Sequence, residues 1–245
     1  MKIIAVIPAR LDSKRFPRKV LYPFLGKPLI AHLYDELSKS KEIDRLIIAS
    51  SDSEIIQAAK LFGAETIRTA KSHKTGTDRA AEVAKKISGD IFLNIQGDNF
   101  GLKVSMIDNV IKKFKRLKNY QFATLAHKIE TELELKDSNN VKVVLNKKSN
   151  AIFFSRSVIP HIQNSSQKNF VSQFTFYHHI GIYLYRRSSL LKYANWKQSS
   201  LEKIESLEQL RILENSEKIH VFKTKMRPVS IDTLAEMKKI EKKYR

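Results

Sequence analysis

Residues 3–19 read Ile3-Ile4-Ala5-Val6-Ile7-Pro8-Ala9-Arg10-Leu11-Asp12-Ser13-Lys14-Arg15-Phe16-Pro17-Arg18-Lys19. The run Ile3 to Ile7 is short, rich in β-branched residues and free of polar interruption, the pattern of a strand buried on both faces. Pro8 and Pro17 then bracket a loop with Arg10, Lys14, Arg15, Arg18 and Lys19, five cations in ten positions. Such charges repel one another unless water solvates them all or an anion lies between them. Ligands of open α/β sheets gather beyond the carboxyl ends of the strands, so a strand that hands the chain to a basic loop points to a triphosphate there.

From Pro28, placed at a first helical position, Leu29, Leu33 and Leu37 recur at helical spacing. Residues 45–50 form a second buried strand, and Ser51 with Glu54 has capping-box spacing for a helix that Gly63 closes. Residues 65–69 make a weaker strand, Thr77 is placed to cap a helix with Ala80, Val83, Ala84 and Ile87 inward, and residues 91–95 are another strand. This alternation predicts an α/β fold, a parallel sheet with helices on both faces. Ser105 and Asp108 predict a further capped helix. Residues 122–187 instead hold four strand-like runs, at 122–126, 141–145, 151–154 and 180–185, with no long helix. They predict a β-rich insertion within a single domain spanning residues 1–245, because no Gly/Pro/Ser linker precedes it. Ile204, Leu207, Leu210 and Leu213 predict an amphipathic helix, residues 218–223 a strand, and Thr233 with Glu236 a capped last helix.

The 245 residues, 42% hydrophobic, suffice for a full core. The 45 Lys and Arg against 25 Asp and Glu give +20, which favours any polyanion. The lysine runs at 112–118 and 238–243 lack the interleaved aromatics of a single-strand binder, so the charge reads as a lysine-rich surface with no specific nucleic acid. Zero Cys excludes disulfides, Cys-containing zinc sites and thiol catalysis. Nothing approaches a span of about 20 apolar residues or a signal-peptide core, so the expected location is the cytoplasm, with no membrane insertion.

Asp98 and Asp232 stand at strand ends, where two hard carboxylates can meet at one crevice and hold magnesium against phosphate oxygens. Asp232 also suits a helix cap. Gly97 permits close backbone approach beside Asp98. Arg79 follows Gly76 and Thr77 at a helix start, a place for an anion. Arg156 follows a strand directly. His178 and His179 are adjacent in a strand, so at most one faces a given pocket, and no His and carboxylate set has recognisable metal spacing. Glu205 reads as part of a solvated helix face, and Glu208 lies nearer the apolar stripe. With neither a P-loop nor a dinucleotide fingerprint, the residues point to a magnesium-dependent enzyme acting on a nucleotide or sugar phosphate.

Together the motifs resemble the 3-deoxy-manno-octulosonate (Kdo) cytidylyltransferases, the CMP-Kdo synthetases. The resemblance runs nearly end to end: Ile7-Pro8-Ala9-Arg10, Arg15-Phe16-Pro17 with Lys19, Gly26-Lys27-Pro28, Gly76-Thr77-Asp78-Arg79, Gln96-Gly97-Asp98, Val141-Lys142-Val143-Val144, Phe154-Ser155-Arg156, His179-Ile180-Gly181-Ile182-Tyr183, Leu207-Glu208-Gln209-Leu210-Arg211 and Ile231-Asp232-Thr233. It implies a Rossmann-like nucleotidyltransferase fold, a homodimer built through the β-rich insertion, and attack of a sugar-acid hydroxyl on the α-phosphorus of CTP. On matching positions it implies that Arg10, Arg15 and Lys19 hold the triphosphate, with Ala9, Ser13, Gln96 and Asp98 also at the nucleotide. Asp98 and Asp232 would hold Mg2+. Arg79 would orient nucleotide and sugar, and Gln96, Arg156, His179, Tyr183, Glu208 and Gln209 would line the sugar pocket. The catalytic set is thus Arg10, Arg15, Lys19, Asp98 and Asp232.

Four positions depart from the family pattern: Arg18 where Gly is usual, Asn99-Phe100 in place of Glu-Pro, and His178 where Arg is frequent. Rival readings are the same reaction on an amino-Kdo or nine-carbon sugar acid, a homologue that binds CTP without turnover, and a non-enzymatic basic nucleic-acid-binding protein.

Overall fold

The computed structural model describes residues 1–12, 16–163, 169–231 and 233–244; the expected site residues Ser13, Arg15 and Asp232 lie outside the described residues. β1 (Ile3–Ala9) leads to a 3-10 turn (Lys19–Leu21), the short pair β2 (Pro23–Phe24) and β3 (Lys27–Pro28), and α1 (Leu29–Leu37). β4 (Arg45–Ser50), α2 (Ser53–Leu61), β5 (Glu65–Arg68), α3 (Gly76–Lys86) and β6 (Ile91–Ile95) continue the alternation. Then come β7 (Asn99–Phe100), α4 (Val104–Arg116), β8 (Phe122–Lys128), α5 (Glu132–Lys136), β9 (Lys142–Leu145), β10 (Ala151–Ser155), α6 (Phe170–Gln173) and β11 (Tyr177–Arg186). α7 (Arg187–Asn195), α8 (Ser200–Glu205), α9 (Leu210–Glu214), β12 (Ile219–Thr224), β13 (Val229–Ser230) and α10 (Leu234–Tyr244) follow.

Nine strands make one sheet, in the order β10-β9-β11-β6-β1-β4-β5, with β8 paired to β11 and β12 to β8. β1 is parallel to β4 and β6, and β4 to β5, while β11 runs antiparallel to β6, β8 and β9. The chain therefore leaves β1 for β4 on one side and returns to β6 on the other. That reversal opens a crevice beyond the carboxyl ends of β1 and β6.

β1 is buried along its whole length. Ile3, Ala5 and Ile7 pack with Leu33, Ile107 and Phe114 on one face, and Ile4 and Val6 with Ala80, Val83 and Leu190 on the other. This is the two-faced burial that an unbroken apolar run predicts. The strand runs two residues past the expected end, pairing Pro8 with Ala49 and Ala9 with Ser50. Pairing with β6 stops at Val6, so one edge of β1 is free of the ladder where the proline falls.

Several helix starts differ from expectation because side chains find better partners elsewhere. α2 begins after Asp52, not Ser51, and Asp52 turns its carboxylate to the Leu11 N–H (2.8 Å). α3 is capped by Thr75, whose hydroxyl accepts from the Asp78 N–H while the Asp78 carboxylate accepts from the Thr75 N–H, both 3.1 Å. Thr77 lies inside the helix, buried against Asn94 and Tyr185. The Ser105–Asp108 box does not form: α4 follows Lys103, and Asp108 accepts from the Ser40 hydroxyl. Thr233 and Glu236 do form their reciprocal box. The stripe from Ile204 to Leu213 is two helices, since Ser206 at φ 53° breaks it and leaves Ile204 81% exposed. Among the described residues no helix is long and apolar enough to cross a membrane.

Candidate active site

A cavity of about 860 Å3 occupies the crevice. β1, α3 and the turn after β6 contribute Ala9, Arg10, Arg79, Gln96 and Asp98 to its wall. β10, β11 and the α8–α9 corner contribute Arg156, His179, Tyr183, Glu208 and Gln209. Ten expected residues, drawn from positions 9 to 209, thus share one cavity. Lys19 stands behind it, its ammonium 2.6 Å from Asp98 Oδ2.

The basic loop is partly neutralised by the protein. Lys19 pairs with Asp98 and the Arg18 guanidinium with Glu54, so a ligand is not the sole anion among these charges. Arg18 is at φ 62°, a left-handed turn closed by its N–H to the Leu11 carbonyl (2.9 Å). Glycine adopts that conformation freely, whereas a residue with a Cβ bears a cost of about 1–2 kcal/mol. Arg18 therefore occupies a turn position that glycine fits better, with its charge directed to Glu54.

Arg79 is buried, donating to Thr69 Oγ1 (2.7 Å), the Ala70 carbonyl (3.3 Å) and Ser51 Oγ (3.2 Å). Burial lowers its pKa, Asp52 works the other way, and the nearby Arg10 lowers it further. It clamps the ends of β4 and β5 while still facing the cavity. Gly76 packs closely: a Cβ there would stand 2.9 Å from the Gln96 amide nitrogen and 3.0 Å from the Pro8 ring, so a larger residue would move the Gln96 side chain. A Cβ at Gly97 would stand 3.5–3.6 Å from Ile7, Val20 and Ile30 of the core, an ordinary contact distance. Of the next pair, Asn99 lines the cavity and donates from Nδ2 to the Gln96 carbonyl (3.2 Å). Phe100 turns away onto Phe24 (ring centroids 4.9 Å) and His32 (5.8 Å).

The segment before α3 is tied down by Glu82, which accepts from the Ala70 N–H (2.8 Å), meets His73 Nε2 (2.5 Å) and pairs with Lys86 (2.7 Å). Burial alone would raise this carboxyl; Lys86, the Ala70 N–H and His73 outweigh it and lower it from 4.5 to about 2. The folded carboxyl is the stronger acid, so its contribution to stability is complete above about pH 4.5 and is lost as pH falls toward 2. Glu82→Gln is expected to flatten the stability profile across that window in urea unfolding. A profile with the parent's slope would refute the linkage.

On the other wall, Arg156 donates from Nε to the Glu205 carbonyl (2.9 Å) and from Nη1 to the Ser138 carbonyl (3.2 Å). Glu205 is no solvated face: its carboxylate accepts from Ser155 Oγ (2.6 Å) and the Arg156 N–H (3.0 Å), fixing the turn that aims Arg156. Thr124 donates its one hydroxyl proton to the Ile182 carbonyl (2.6 Å), so His179 Nε2, 2.8 Å away, is the protonated nitrogen. Burial pushes His179 down to about 3, which keeps it neutral and makes it a positioned hydrogen-bonding group. His178 also lines the cavity, against the expectation that one pocket meets only one of the pair, because the cavity is large enough to touch both sides of β11. Tyr183 donates to Gln209 Oε1 (2.9 Å), leaving the Gln209 amide nitrogen buried with no partner among the described residues. Burial raises the Glu208 carboxyl, opposed by donation from Thr77 and Thr75, and its Oε2 is likewise enclosed and unpartnered. Two enclosed polar atoms without partners, on neighbouring residues, suit a polyhydroxylated ligand.

A parallel sheet reversing beside a basic loop, with a carboxylate at the crevice and a polar second wall, defines a nucleotidyltransferase. The cytidylyltransferase family profile matches residues 4–219. The 3-deoxy-manno-octulosonate cytidylyltransferase of Geobacter metallireducens is 37% identical over 248 residues, covering 99% of this chain and 98% of that protein. The enzyme of the same name from Fusobacterium nucleatum is 41% identical over 241 residues, covering 98% and 96%. A solved structure of CMP:2-keto-3-deoxy-manno-octonic acid synthetase complexed with CTP superposes with a TM-score of 0.91 at 33% identity, covering 100% of this chain and 98% of that one. The chain belongs to the 3-deoxy-manno-octulosonate cytidylyltransferase family, with the Rossmann-like nucleotidyltransferase fold its motifs imply.

Proposed function

We propose that this protein transfers the cytidylyl group of CTP to the anomeric hydroxyl of Kdo, releasing pyrophosphate and supplying CMP-Kdo for lipopolysaccharide or surface glycan synthesis. The observation that carries the reading is the single cavity joining Arg10, Arg79 and Asp98 to Arg156, His179, Tyr183, Glu208 and Gln209. An in-line displacement at phosphorus chiefly needs two reactants held in register and neutralised charge. Arg10 and Lys19, with Arg15, supply cations for the triphosphate. The forked donors of Arg156 suit the sugar carboxylate, and the unpartnered polar atoms of Glu208 and Gln209 suit its hydroxyls.

Magnesium belongs to the same reading. Asp98 is a hard oxygen donor on the cavity wall, which fits a magnesium ligand, and its pairing with Lys19 keeps the carboxylate balanced. Asp98 and Asp232 would hold the ion, which would draw charge from the phosphate oxygens. A cytoplasmic homodimer completes the proposal; the exposed Leu133 and Phe174, within residues 122–187, give that stretch apolar surface for a second copy.

The test is pyrophosphate release from CTP and Mg2+ with Kdo, an amino-Kdo and a nine-carbon sugar acid in parallel. Kdo is expected to react fastest. Faster turnover of another acid moves the assignment to that sugar, and no reaction with any of the intact acids overturns the enzyme reading.

A further inference from the structure

We propose that His127, Glu134 and His178 form a second cation site, a three-ligand seat for a transition-metal dication of the zinc class on the cavity wall. His178 of β11 pairs directly opposite His127 of β8, so both side chains leave the same face of the sheet. Their ring centroids are 4.8 Å apart at 73°. Glu134 reaches them from α5, a helix set in place by Thr131 capping the Glu134 N–H (3.1 Å). One ligand atom from each residue lies within 4.8 Å of the others. Zinc bonds of about 2.0–2.1 Å set tetrahedral ligands about 3.4 Å apart, so the farthest pair must close by up to about 1.4 Å, within side-chain rotation. The spacing of 7 and 44 positions between these residues hides the set from the sequence.

His127 Nδ1 donates to the Lys128 carbonyl (3.0 Å), so the lone pair of the neutral ring lies on Nε2, and a metal is met there or by exchanging that hydrogen bond. Nδ1 stands 3.7 Å from Glu134 Oε1, and Glu134 Oε2 takes the Glu130 N–H (3.0 Å). Arg227 approaches Glu134 Oε2 at 3.4 Å but is anchored by Glu130 (2.9 Å) and the Lys128 carbonyl (2.7 Å), so it need not compete for Oε1. Lys142 and Arg227 oppose positive charge here and Asp137 favours it. Both rings are buried enough to stay neutral, the form that donates a nitrogen lone pair. Two imidazoles and one carboxylate select transition metals over magnesium, which separates this site from the carboxylate chemistry of Asp98. All three residues line the cavity, and three protein ligands leave a coordination position open toward it.

The untagged full chain, in excess Mg2+, is titrated with Co2+ by calorimetry and visible absorption. One equivalent is expected to bind with ligand-field bands, and His127→Ala, His178→Ala and Glu134→Gln should each weaken it at least tenfold. His73→Ala, which removes the half-buried His73–Glu82 contact, should leave binding unchanged. Glu134→Gln keeps the side chain's shape and is decisive should a histidine variant fail to fold. The proposal is overturned by no stoichiometric binding, by binding that survives Glu134→Gln or the folded histidine variants, or by loss with His73→Ala instead.

Discussion

Asp98→Asn is expected to reduce turnover by about 10²–10³-fold, the rate equivalent of the several kcal/mol a metal-held phosphate oxygen is worth. Asp98 sits immediately beyond β6 on the cavity wall, where an amide keeps the shape but removes the charge a cation needs. The fold should survive. The Asp98 carbonyl accepts the Ile231 N–H (3.2 Å), a backbone contact the substitution leaves intact; the side chain is 22% exposed, and the asparagine oxygen can still accept from the Lys19 ammonium that pairs with Asp98 at 2.6 Å, which limits the cost of the lost charge. Pyrophosphate release at saturating CTP, beside a thermal melt, separates the two effects. The expected pattern is a large fall in kcat with the melting temperature within a few degrees of the parent, partly relieved by raised Mg2+. Near-normal turnover would remove Asp98 from the metal site.

The largest effect on stability is expected from Glu202→Ala. Arg211 meets Glu202 in a forked pair, Nη2 to Oε1 at 2.5 Å and Nε to Oε2 at 2.7 Å, with Glu202 1% and Arg211 6% exposed. The guanidinium also lies 4.4 Å over the Tyr193 ring. Removing the carboxylate leaves a buried cation whose remaining acidic neighbour, Asp78, is 3.9 Å away. Breaking one side of such a pair costs about 3–5 kcal/mol. For a chain of this size that corresponds to a fall in melting temperature of about 10 °C. The double variant Glu202→Ala with Arg211→Met should recover much of the loss, because an apolar pair carries no desolvation cost. A single-variant loss below about 1 kcal/mol would show that the pair is not structural. Since Arg211 follows Glu208 and Gln209 on the same corner, the single variant should also raise KM for the sugar acid more than KM for CTP.

The basic loop and its neighbours show how far the sequence can be read. The buried run Ile3 to Ile7, the alternation up to Ile95 and the place of the crevice follow from side-chain period and chain order, and the structure bears them out. The capping of α3 was open to the same reading, since Thr75 stands three residues before Asp78; Thr77 was preferred, and burial against Asn94 and Tyr185 claims it instead. Glu205 offered no local signal. Its partners Ser155 and Arg156 are 50 and 49 positions away, and a half-exposed helix residue has the same sequence appearance whether or not it anchors a turn.

Arg10, Asp98, Arg156 and His179 all stand on the cavity wall, and each was nameable from a short motif beside an apolar run, because motif order is a property of the chain. The single cavity that joins them, the pairing of Lys19 with Asp98 and of Glu202 with Arg211, and the meeting of His127, Glu134 and His178 depend on which strands lie side by side. Strand order is set by packing two apolar faces against helices over the whole sheet, an energy spread across residues far apart in sequence, so no local window contains it.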